Sequence, residues 1–213
     1  AIDAIIADLE DYIDFAADMA ISPDSARSFA ASARHALSQG RSLAGETLSD
    51  ADIRAETQRI DRLAECARAA ELYAAACRER NWLSFADLIS LPTTLLRTRR
   101  RVSDILRAEW RHFVVDEFQD VNPAQIELLR ALAPPDLNPD VTIVGDDDQS
   151  IYEFRGADER ALARFAELWK GAHVETLSEN YRSTPSIVAV AGSVISRAGS
   201  RFAPDKVLRA AGS

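Results

Sequence analysis

The sequence predicts an α/β protein in which a mainly helical N-terminal part precedes part of a parallel β-sheet. Residues 1 to about 110 carry helical periodicity throughout. From Phe113 onward, short apolar runs rich in β-branched residues alternate with helical stretches, and each run ends in polar side chains. With 213 residues, 47% of them apolar, the chain is long enough to bury a core.

The helical part divides into segments by its apolar spacing and its capping residues. The first segment has apolar residues at positions 2, 6, 9 and 13, and the second begins at Ser22-Pro23, a helix cap followed by a proline in the first turn. A long helix keeps an apolar face from Ile53 to Cys77. A shorter helix begins near Trp82 and is expected to stop near Pro92, because proline lacks a backbone N–H.

Net charge and cysteine usage restrict the classes of partner and compartment. The chain has 25 basic and 34 acidic side chains, a formal charge of −9, so any contact with nucleic acid must be local. Cys66 and Cys77 lie about three helical turns apart, which predicts two buried, reduced thiols on one helix face. No apolar run approaches the ~20 residues of a membrane span. These features predict a cytoplasmic protein.

Three apolar runs are expected to be strands of one parallel sheet. They are FVVDE from Phe113, VTIVGDDD about thirty residues later, and the weaker HVETLSEN. Helical stretches separate or follow them, at 123–133, at 158–170 and after Pro185. In such sheets the loops at the carboxyl ends of the strands carry the chemistry, and all three polar clusters lie at those ends.

The first cluster follows the strand at Phe113 and contains two adjacent carboxylates, Asp116 and Glu117. One carboxylate of such a pair can hold a hydrated Mg²⁺ while the other polarises a water for attack on a phosphoryl group. A structural alternative is that Asp120 and Asn122 cap the next helix. That alternative leaves the other acids and a glutamine unexplained, so the functional interpretation is favoured.

The second cluster runs from Gly145 to Ser150 and leads into an aromatic segment. Gln149 could donate to a terminal phosphate oxygen, but an acidic turn explains the cluster equally well. The rings of Tyr152 and Phe154 can stack on bases, and Arg155 can bind a phosphate. Aromatic residues at alternate positions are also typical of a protein core.

The third cluster is centred on Tyr181 and Arg182. The neighbouring Thr184 and Pro185 have a sufficient structural explanation as the cap and first residue of a helix. Tyr181 and Arg182 are left without one, which makes them candidate binding residues.

In this order, the three clusters resemble the motifs of superfamily 1 DNA helicases of the UvrD, Rep and PcrA type. VDEFQD resembles their Walker B motif, and VGDDDQSIYEFRGA resembles the segment that couples nucleotide to DNA. LSENYRSTPSIV resembles the next motif, and SFADLI resembles a segment that precedes Walker B. The resemblance implies a RecA-like parallel sheet of the P-loop NTPase type. It also implies ATP and Mg²⁺ as cofactors, and single-stranded DNA and duplex junctions as partners.

The resemblance implies a role for each matching residue. Asp116 would coordinate Mg²⁺, and Glu117 would activate the attacking water. Gln149 would sense the γ-phosphate, Arg182 would contact it, and Tyr181 would stack on the adenine. The residues that would lie toward single-stranded DNA are Tyr152, Phe154 and Arg155.

One motif of that family does not occur in this sequence. There is no G-x-x-x-x-G-K-[ST] loop, and neither Lys170 nor Lys206 lies in a fitting context. The chain is therefore expected to be an internal fragment of the first motor domain that lacks the P-loop strand and is inactive alone. Its expected divisions are 1–62, a helical accessory subdomain; 63–190, part of the motor domain; and 191–213, a segment leading toward the second motor domain.

The expected function is that of an ATP-dependent DNA helicase that moves 3′ to 5′ on single strands when complete. The alternative is a non-catalytic, motor-like binding module that holds a protein partner through its helical half. The presence of both Asp116 and Glu117 argues against the alternative. A GKT or GKS sequence upstream in the parent reading frame would decide for the enzyme.

Overall fold

A computed structural model of the chain describes residues 2–152, 157–158, 160–198 and 201–211. The chain divides into two compact units, of which the first comprises Ala1–Asp104 and Pro123–Ala131 and the second comprises Ile105–Asn122 and Leu132–Ser213. Helix α3, defined below, runs without a break through residue 62, and the expected divisions at 62 and 190 stay predictions. Within the described ranges, no helix has both the length and the apolar character that a membrane crossing requires.

Helices form the N-terminal part of the chain, as its periodicity predicts. They are α1 (Ile2–Asp18), α2 (Pro23–Ser38), α3 (Asp50–Glu79), α4 (Asp87–Thr98) and α5 (Arg100–Glu109). The Ser22 hydroxyl accepts a hydrogen bond from the Ser25 amide at 3.1 Å, which confirms the predicted cap of α2. Both cysteines lie on α3 as free thiols, with Cys77 buried and Cys66 half-buried.

The core of the first unit lies between α2 and α3. It consists of the buried side chains Ala30, Ala33, Leu37 and Ile60. The small alanine side chains of α2 allow its backbone to lie close to α3. Leu37 and Ile60 contribute the larger apolar surfaces that become buried away from water. Periodic apolar residues on each helix therefore account for their pairing.

The expected end of α4 near Pro92 is wrong, because the helix continues to Thr98 with the proline inside it. An interior proline removes one backbone hydrogen bond and costs ~3 kcal/mol. In this helix the hydroxyls of Thr93 and Thr94 donate to the carbonyl oxygens four residues earlier, at 2.6 and 2.9 Å. Burial of Thr93 and Leu96 adds packing on the same helix, which offsets part of the cost.

The second unit contains a pair of parallel strands, β1 (His112–Val115) and β2 (Asp140–Ile143). Their register places Phe113 beside Val141 and Val115 beside Ile143. The helices that follow in sequence are α6 (Pro123–Leu132), α7 (Ala161–Leu168) and α8 (Pro185–Ile195). These elements confirm the predicted alternation of strands and helices, and the chain is a mixed, helix-rich α/β protein with small parallel sheets.

The expectation that HVETLSEN adds a third strand to the same sheet is wrong for the described residues. Only its end, β3 (Glu179–Asn180), is a strand, and it pairs in parallel with β4 (Arg209–Ala210) in a separate sheet. The preceding residues are exposed, including Val174 and Leu177, and so have no buried face that would hold them against β1 or β2. The pairing of β3 therefore depends on β4, a segment that is remote in sequence.

Three aromatic side chains form the core of the second unit. Phe118 is 1% exposed, and its ring packs edge-to-face with that of Phe165, with 5.6 Å between the ring centroids. Trp169 stacks on Phe165 at 4.7 Å, and its indole N–H donates to the carbonyl of Ala133 at 3.2 Å. Because Phe118 lies three residues beyond the end of β1, this cluster fixes the segment at the carboxyl end of that strand.

The aromatic cluster predicts a large stability loss for Phe165→Ala. Removing a buried phenylalanine side chain is expected to lower the free energy of unfolding by ~3–5 kcal/mol. Phe85, which is 92% exposed, provides a matched control, and Phe85→Ala is expected to change stability by less than ~0.5 kcal/mol. Urea denaturation followed by circular dichroism measures both. Equal losses for the two variants would contradict the assigned core.

Candidate functional site

The segments that follow β1 and β2 lie side by side. The Val144 amide donates to the carbonyl of Val115 at 2.8 Å, and the Phe118 amide donates to the carbonyl of Val144 at 2.9 Å. The first cluster, Asp116 to Asp120, therefore lies against the start of the second, Gly145 to Ser150. This confirms the prediction that the carboxyl ends of these two strands gather their polar residues.

Asp116 and Glu117 occupy a tight turn directly after β1. Glu117 adopts a left-handed conformation, with φ 50° and ψ 44°, which costs a non-glycine residue about 1–2 kcal/mol. The Asp116 carboxylate accepts a hydrogen bond from the Glu117 amide at 2.9 Å and stabilises this turn. Both side chains are exposed to solvent.

Gln119 connects the two clusters, a position that the sequence left without a role. Its side chain is 4% exposed. Its amide nitrogen donates to the Glu117 carboxylate at 2.8 Å, and its amide oxygen accepts from the backbone N–H of Asp146 at 2.9 Å. The one hint in the sequence is a glutamine among acids immediately after an apolar strand.

Gly145 leaves the space that the Gln119 side chain fills. A Cβ atom at position 145 would lie 2.9 Å from the Gln119 amide oxygen and 3.2 Å from the Phe118 backbone nitrogen. Both distances are shorter than ordinary van der Waals contact. A Cβ atom at this position would therefore force the Gln119 side chain or the Phe118 backbone to shift.

Three consecutive aspartates follow Gly145, and two cations from the C-terminal segment compensate their charge. The oxygens of Asp146, Asp147 and Asp148 lie within 4.8 Å of one another. The Lys206 ammonium contacts all three carboxylates, at 2.8 Å from Asp148 and 3.6 Å from Asp147. Arg201 donates two hydrogen bonds of 2.7 Å to Asp148. We call these five residues the aspartate–lysine cluster.

The contacts of the aspartate–lysine cluster shift the pKa values of its members. Hydrogen bonds from Arg201 lower the pKa of Asp148 against an opposing effect of burial, and Lys206 lowers it further. Burial acts to raise the pKa of Asp146, but hydrogen bonds from Lys206 and Gln149 outweigh it and lower the pKa. Burial likewise opposes the charge on Lys206, yet hydrogen bonds to Asp146 and Asp148 raise its pKa. All three groups are therefore held in their charged forms.

Gln149 joins the same hydrogen-bond network. Its amide nitrogen donates to the Asp146 carboxylate at 2.9 Å, while the side chain is exposed. Hydrogen bonds thus join Glu117 to Gln119, Gln119 to the backbone N–H of Asp146, and the Asp146 carboxylate to Gln149. Two residues singled out from the sequence, Glu117 and Gln149, are brought together in this way.

Tyr181 and Arg182 follow β3 and are not joined directly to that network. Tyr181 is 79% exposed, and its hydroxyl donates to Glu179, which raises the pKa of the tyrosine. The Arg182 amide donates to the Asn180 side chain at 3.0 Å, and the guanidinium is exposed. Within the described part of the chain, no hydrogen bond links either residue to Glu117 or Gln149, and their roles stay predictions.

The residues expected to face single-stranded DNA are described only in part. Tyr152 is partly exposed, and its carbonyl accepts a hydrogen bond from the Ala157 amide at 3.3 Å. Phe154 and Arg155 lie outside the described residues. The predicted DNA contacts of all three therefore remain predictions.

Comparison with known proteins decides the family. Residues 8–170 match the family described as the UvrD/REP helicase N-terminal domain, which is more than half of the chain. The chain belongs to this family. The matched range includes Asp116, Glu117 and Gln149, and it ends before Tyr181 and Arg182.

Several relatives of this UvrD/REP helicase domain are named as ATP-dependent DNA helicases. UvrD1 of Mycobacterium tuberculosis is 39% identical over 134 residues, which are 61% of this chain and 17% of the relative. The putative helicase YjcD of Bacillus subtilis is 36% identical over 141 residues, 66% of this chain and 18% of the relative. Rep of Salmonella typhimurium is 40% identical over 124 residues, 58% and 18% respectively. The chain spans less than a fifth of the length of these curated relatives.

The aspartate–lysine cluster predicts that Lys206→Met destabilises this UvrD/REP helicase domain. Methionine keeps the length of the side chain but leaves the partly buried carboxylates of Asp146 and Asp147 without a cation in direct contact, an expected loss of ~1.5–3 kcal/mol at neutral pH. The other lysine of the chain, Lys170, is exposed, and Lys170→Met is the matched control for the same change of charge. Melting temperatures of both variants test the prediction. Equal temperatures for the two would contradict the assigned role of Lys206.

The same cluster predicts an acid-sensitive contribution to stability. The folded-state pKa values of Asp146 and Asp148 are lowered, so the stabilisation is complete above their ordinary value of 3.8 and is lost as pH falls through the lowered values. The difference in melting temperature between the wild-type chain and Lys206→Met is therefore expected to shrink in strong acid. Melting curves at pH 7 and below pH 3.8 measure this difference. A constant difference across that range would contradict the linkage.

Proposed function

We propose that this chain supplies part of the ATP-hydrolysing site of an ATP-dependent DNA helicase that moves 3′ to 5′ along single-stranded DNA. The observation that carries the proposal is the pair Asp116 and Glu117 at the end of β1, linked through Gln119 to the segment after β2. Membership of the UvrD/REP helicase family and the names of its relatives support the helicase activity. The direction of movement rests on the motif resemblance to UvrD and Rep.

The two carboxylates fit different tasks in phosphoryl transfer. One oxygen of Glu117 accepts from Gln119, and the exposed carboxylate retains lone pairs that can accept a proton from an attacking water. One carboxylate oxygen of Asp116 accepts a hydrogen bond from the Glu117 amide. Its second oxygen could bind a hydrated Mg²⁺. This cation commonly takes only one or two protein carboxylates, and phosphates and waters supply its other ligands. When bound, Mg²⁺ would neutralise charge on the phosphates.

The aspartate–lysine cluster does not fit a second Mg²⁺ site as well as Asp116 does. Its three carboxylates already surround the Lys206 ammonium, and Asp148 is also bonded by Arg201. Binding a divalent cation there would require these cations to leave. We therefore assign Mg²⁺ to Asp116 alone.

The remaining candidate residues are proposed to bind the nucleotide and the DNA. Gln149 would sense the γ-phosphate and Arg182 would contact it, while Tyr181 would stack on the adenine. All three side chains are exposed, which supports contact with a ligand. The residues proposed to lie toward single-stranded DNA, or toward the strands at a duplex junction, are Tyr152, Phe154 and Arg155.

We further propose that β1 and β2 belong to a larger, RecA-like sheet of the P-loop NTPase type. The support is that Val114 on β1 is 72% exposed. Parallel sheets are usually covered on both faces, so this exposure is expected if the two strands are part of a larger sheet. In this arrangement residues 63–190 are part of the motor domain, 1–62 are the accessory subdomain, and 191–213 lead toward the second motor domain. The two free thiols support a reducing, cytoplasmic setting.

Glu117→Gln in the complete helicase tests the proposal. The amide keeps the shape of the side chain but cannot take the proton of the water, so nucleotide affinity is expected to persist while hydrolysis falls ~100- to 10,000-fold. Asp116→Asn is expected to raise the Mg²⁺ concentration needed for activity. Phosphate release and nucleotide titration measure both effects. A normal rate for Glu117→Gln would show that the assigned roles are wrong.

The chain by itself is expected to hydrolyse no ATP and to bind it weakly. It carries the carboxylates but no G-x-x-x-x-G-K-[ST] loop, whose backbone and lysine hold the phosphates. Calorimetric titration with ATP and Mg²⁺, together with phosphate release, measures this. Turnover above background would contradict the requirement for that loop. A complete protein that also lacks ATPase activity would favour the alternative of a non-catalytic binding module.

A further inference from the structure

We propose that Gln119 is a positioning residue for ATP hydrolysis, because it ties the Glu117 carboxylate to the backbone of the segment after β2. This inference rests on the proposed function. Its basis is the pair of hydrogen bonds that the Gln119 side chain makes, at 2.8 Å to Glu117 and at 2.9 Å from the Asp146 amide. Gln119 is not among the residues that the sequence predicts to contact nucleotide, metal or DNA.

The chemistry of its two partners determines how the Gln119 amide is oriented. A carboxylate can only accept a hydrogen bond, and a backbone N–H can only donate one. The Gln119 nitrogen must therefore face Glu117, and its oxygen must face Asp146. Since Gln119 is buried, reversing the amide would leave a polar atom without a partner away from water.

Glu117 needs this hydrogen bond because little else restrains its side chain. The residue is exposed, and an exposed glutamate ordinarily samples several rotamers. Its left-handed backbone sets the direction in which the side chain leaves the turn, and the bond from Gln119 holds the carboxylate at its far end. A general base must stay within hydrogen-bond reach of the water it activates, and a displacement of ~1 Å can cost ~100-fold in rate.

Gly145 supplies independent support for this assignment. The Gln119 oxygen reaches the Asp146 amide through space that any larger residue at 145 would fill, with a Cβ atom only 2.9 Å from that oxygen. The close approach is thus built from both sides, by a buried glutamine on one segment and a glycine on the other. Disturbing either side should move Glu117.

Two substitutions of Gln119 in the complete helicase test the proposal. Gln119→Glu can still accept from the Asp146 amide but replaces the donor to Glu117 with a second carboxylate, and Gln119→Met removes both hydrogen bonds. We expect kcat for ATP hydrolysis to fall ~10- to 100-fold in both variants, with KM for ATP and DNA affinity within about twofold of wild type. Gln58→Met, an exposed position on α3, is the control and is expected to keep the wild-type kcat.

Gly145→Ala provides a second route that leaves Gln119 itself unchanged. The added methyl group is expected to displace the Gln119 amide and to lower kcat in the same way. Gly192→Ala is the matched control, because a Cβ atom there would have no neighbour within 4 Å. Melting temperatures of all variants show whether a loss of rate accompanies a loss of folded protein.

The outcomes separate this inference from the proposed function when Glu117→Gln is assayed in parallel. A low kcat for Glu117→Gln and for the Gln119 variants, at unchanged KM and with every variant still folded at the assay temperature, supports both. A low kcat for Glu117→Gln with wild-type kcat for Gln119→Glu and Gln119→Met overturns the positioning role and leaves the proposed function standing. If kcat falls only in proportion to the loss of folded protein, the positioning role of Gln119 is also overturned. Full activity of Glu117→Gln overturns both.

Discussion

The parallel pairing of β1 with β2 is the constraint on which the candidate site depends. The register that sets Val115 beside Ile143 also brings the two following segments together, through hydrogen bonds between Val115, Val144 and Phe118. Because side chains alternate along a strand, a slip of one residue would turn each half-buried side chain of β1 or β2 to the opposite face. Gln119 would then no longer reach the Asp146 amide. The positions of the functional groups thus follow from a few backbone hydrogen bonds.

The hydrophobic core holds the same segment in place. Asp116 and Glu117 are exposed, whereas the next two residues, Phe118 and Gln119, are buried. Phe118 packs on Phe165, so the chain cannot move at this point without opening the aromatic cluster. The strained conformation of Glu117 is retained because its neighbours on both sides are fixed, by β1 before it and by Phe118 after it. Packing energy from apolar residues is thereby used to place two carboxylates.

Local patterns in the sequence predict the elements of this fold better than the contacts between them. Helical periodicity and capping residues identify α2 and α3, and the two apolar runs before the acids identify β1 and β2. Pro92 was misleading because the rule for interior prolines takes no account of packing elsewhere on the helix. The third strand was misplaced because β3 pairs with β4, a segment about thirty residues further along the chain.

The same distinction applies to the candidate site. Adjacent acids after a strand point to Asp116 and Glu117, since their chemistry is visible in the order of the residues themselves. The contact of Gln119 spans 27 residues and that of Lys206 with Asp146 spans 60, and no local spacing reveals either. The sequence around Lys206 does not match a phosphate-binding loop and indicates no other partner for it. Its structural partners are acids, which only the folded chain brings to it.

The compensating cations matter because of what the site is proposed to bind. Three consecutive aspartates beside Glu117 and Gln149 would, unpaired, repel a triphosphate, and the chain as a whole is already acidic. Lys206 and Arg201 contribute two positive charges against the three carboxylates, within direct contact distance. At such short range the compensation is local, so the field that an approaching phosphate meets is weaker than the sequence suggests. Residues from a remote segment thus neutralise most of the charge of the acidic loop. A polyanion can bind beside the loop for this reason.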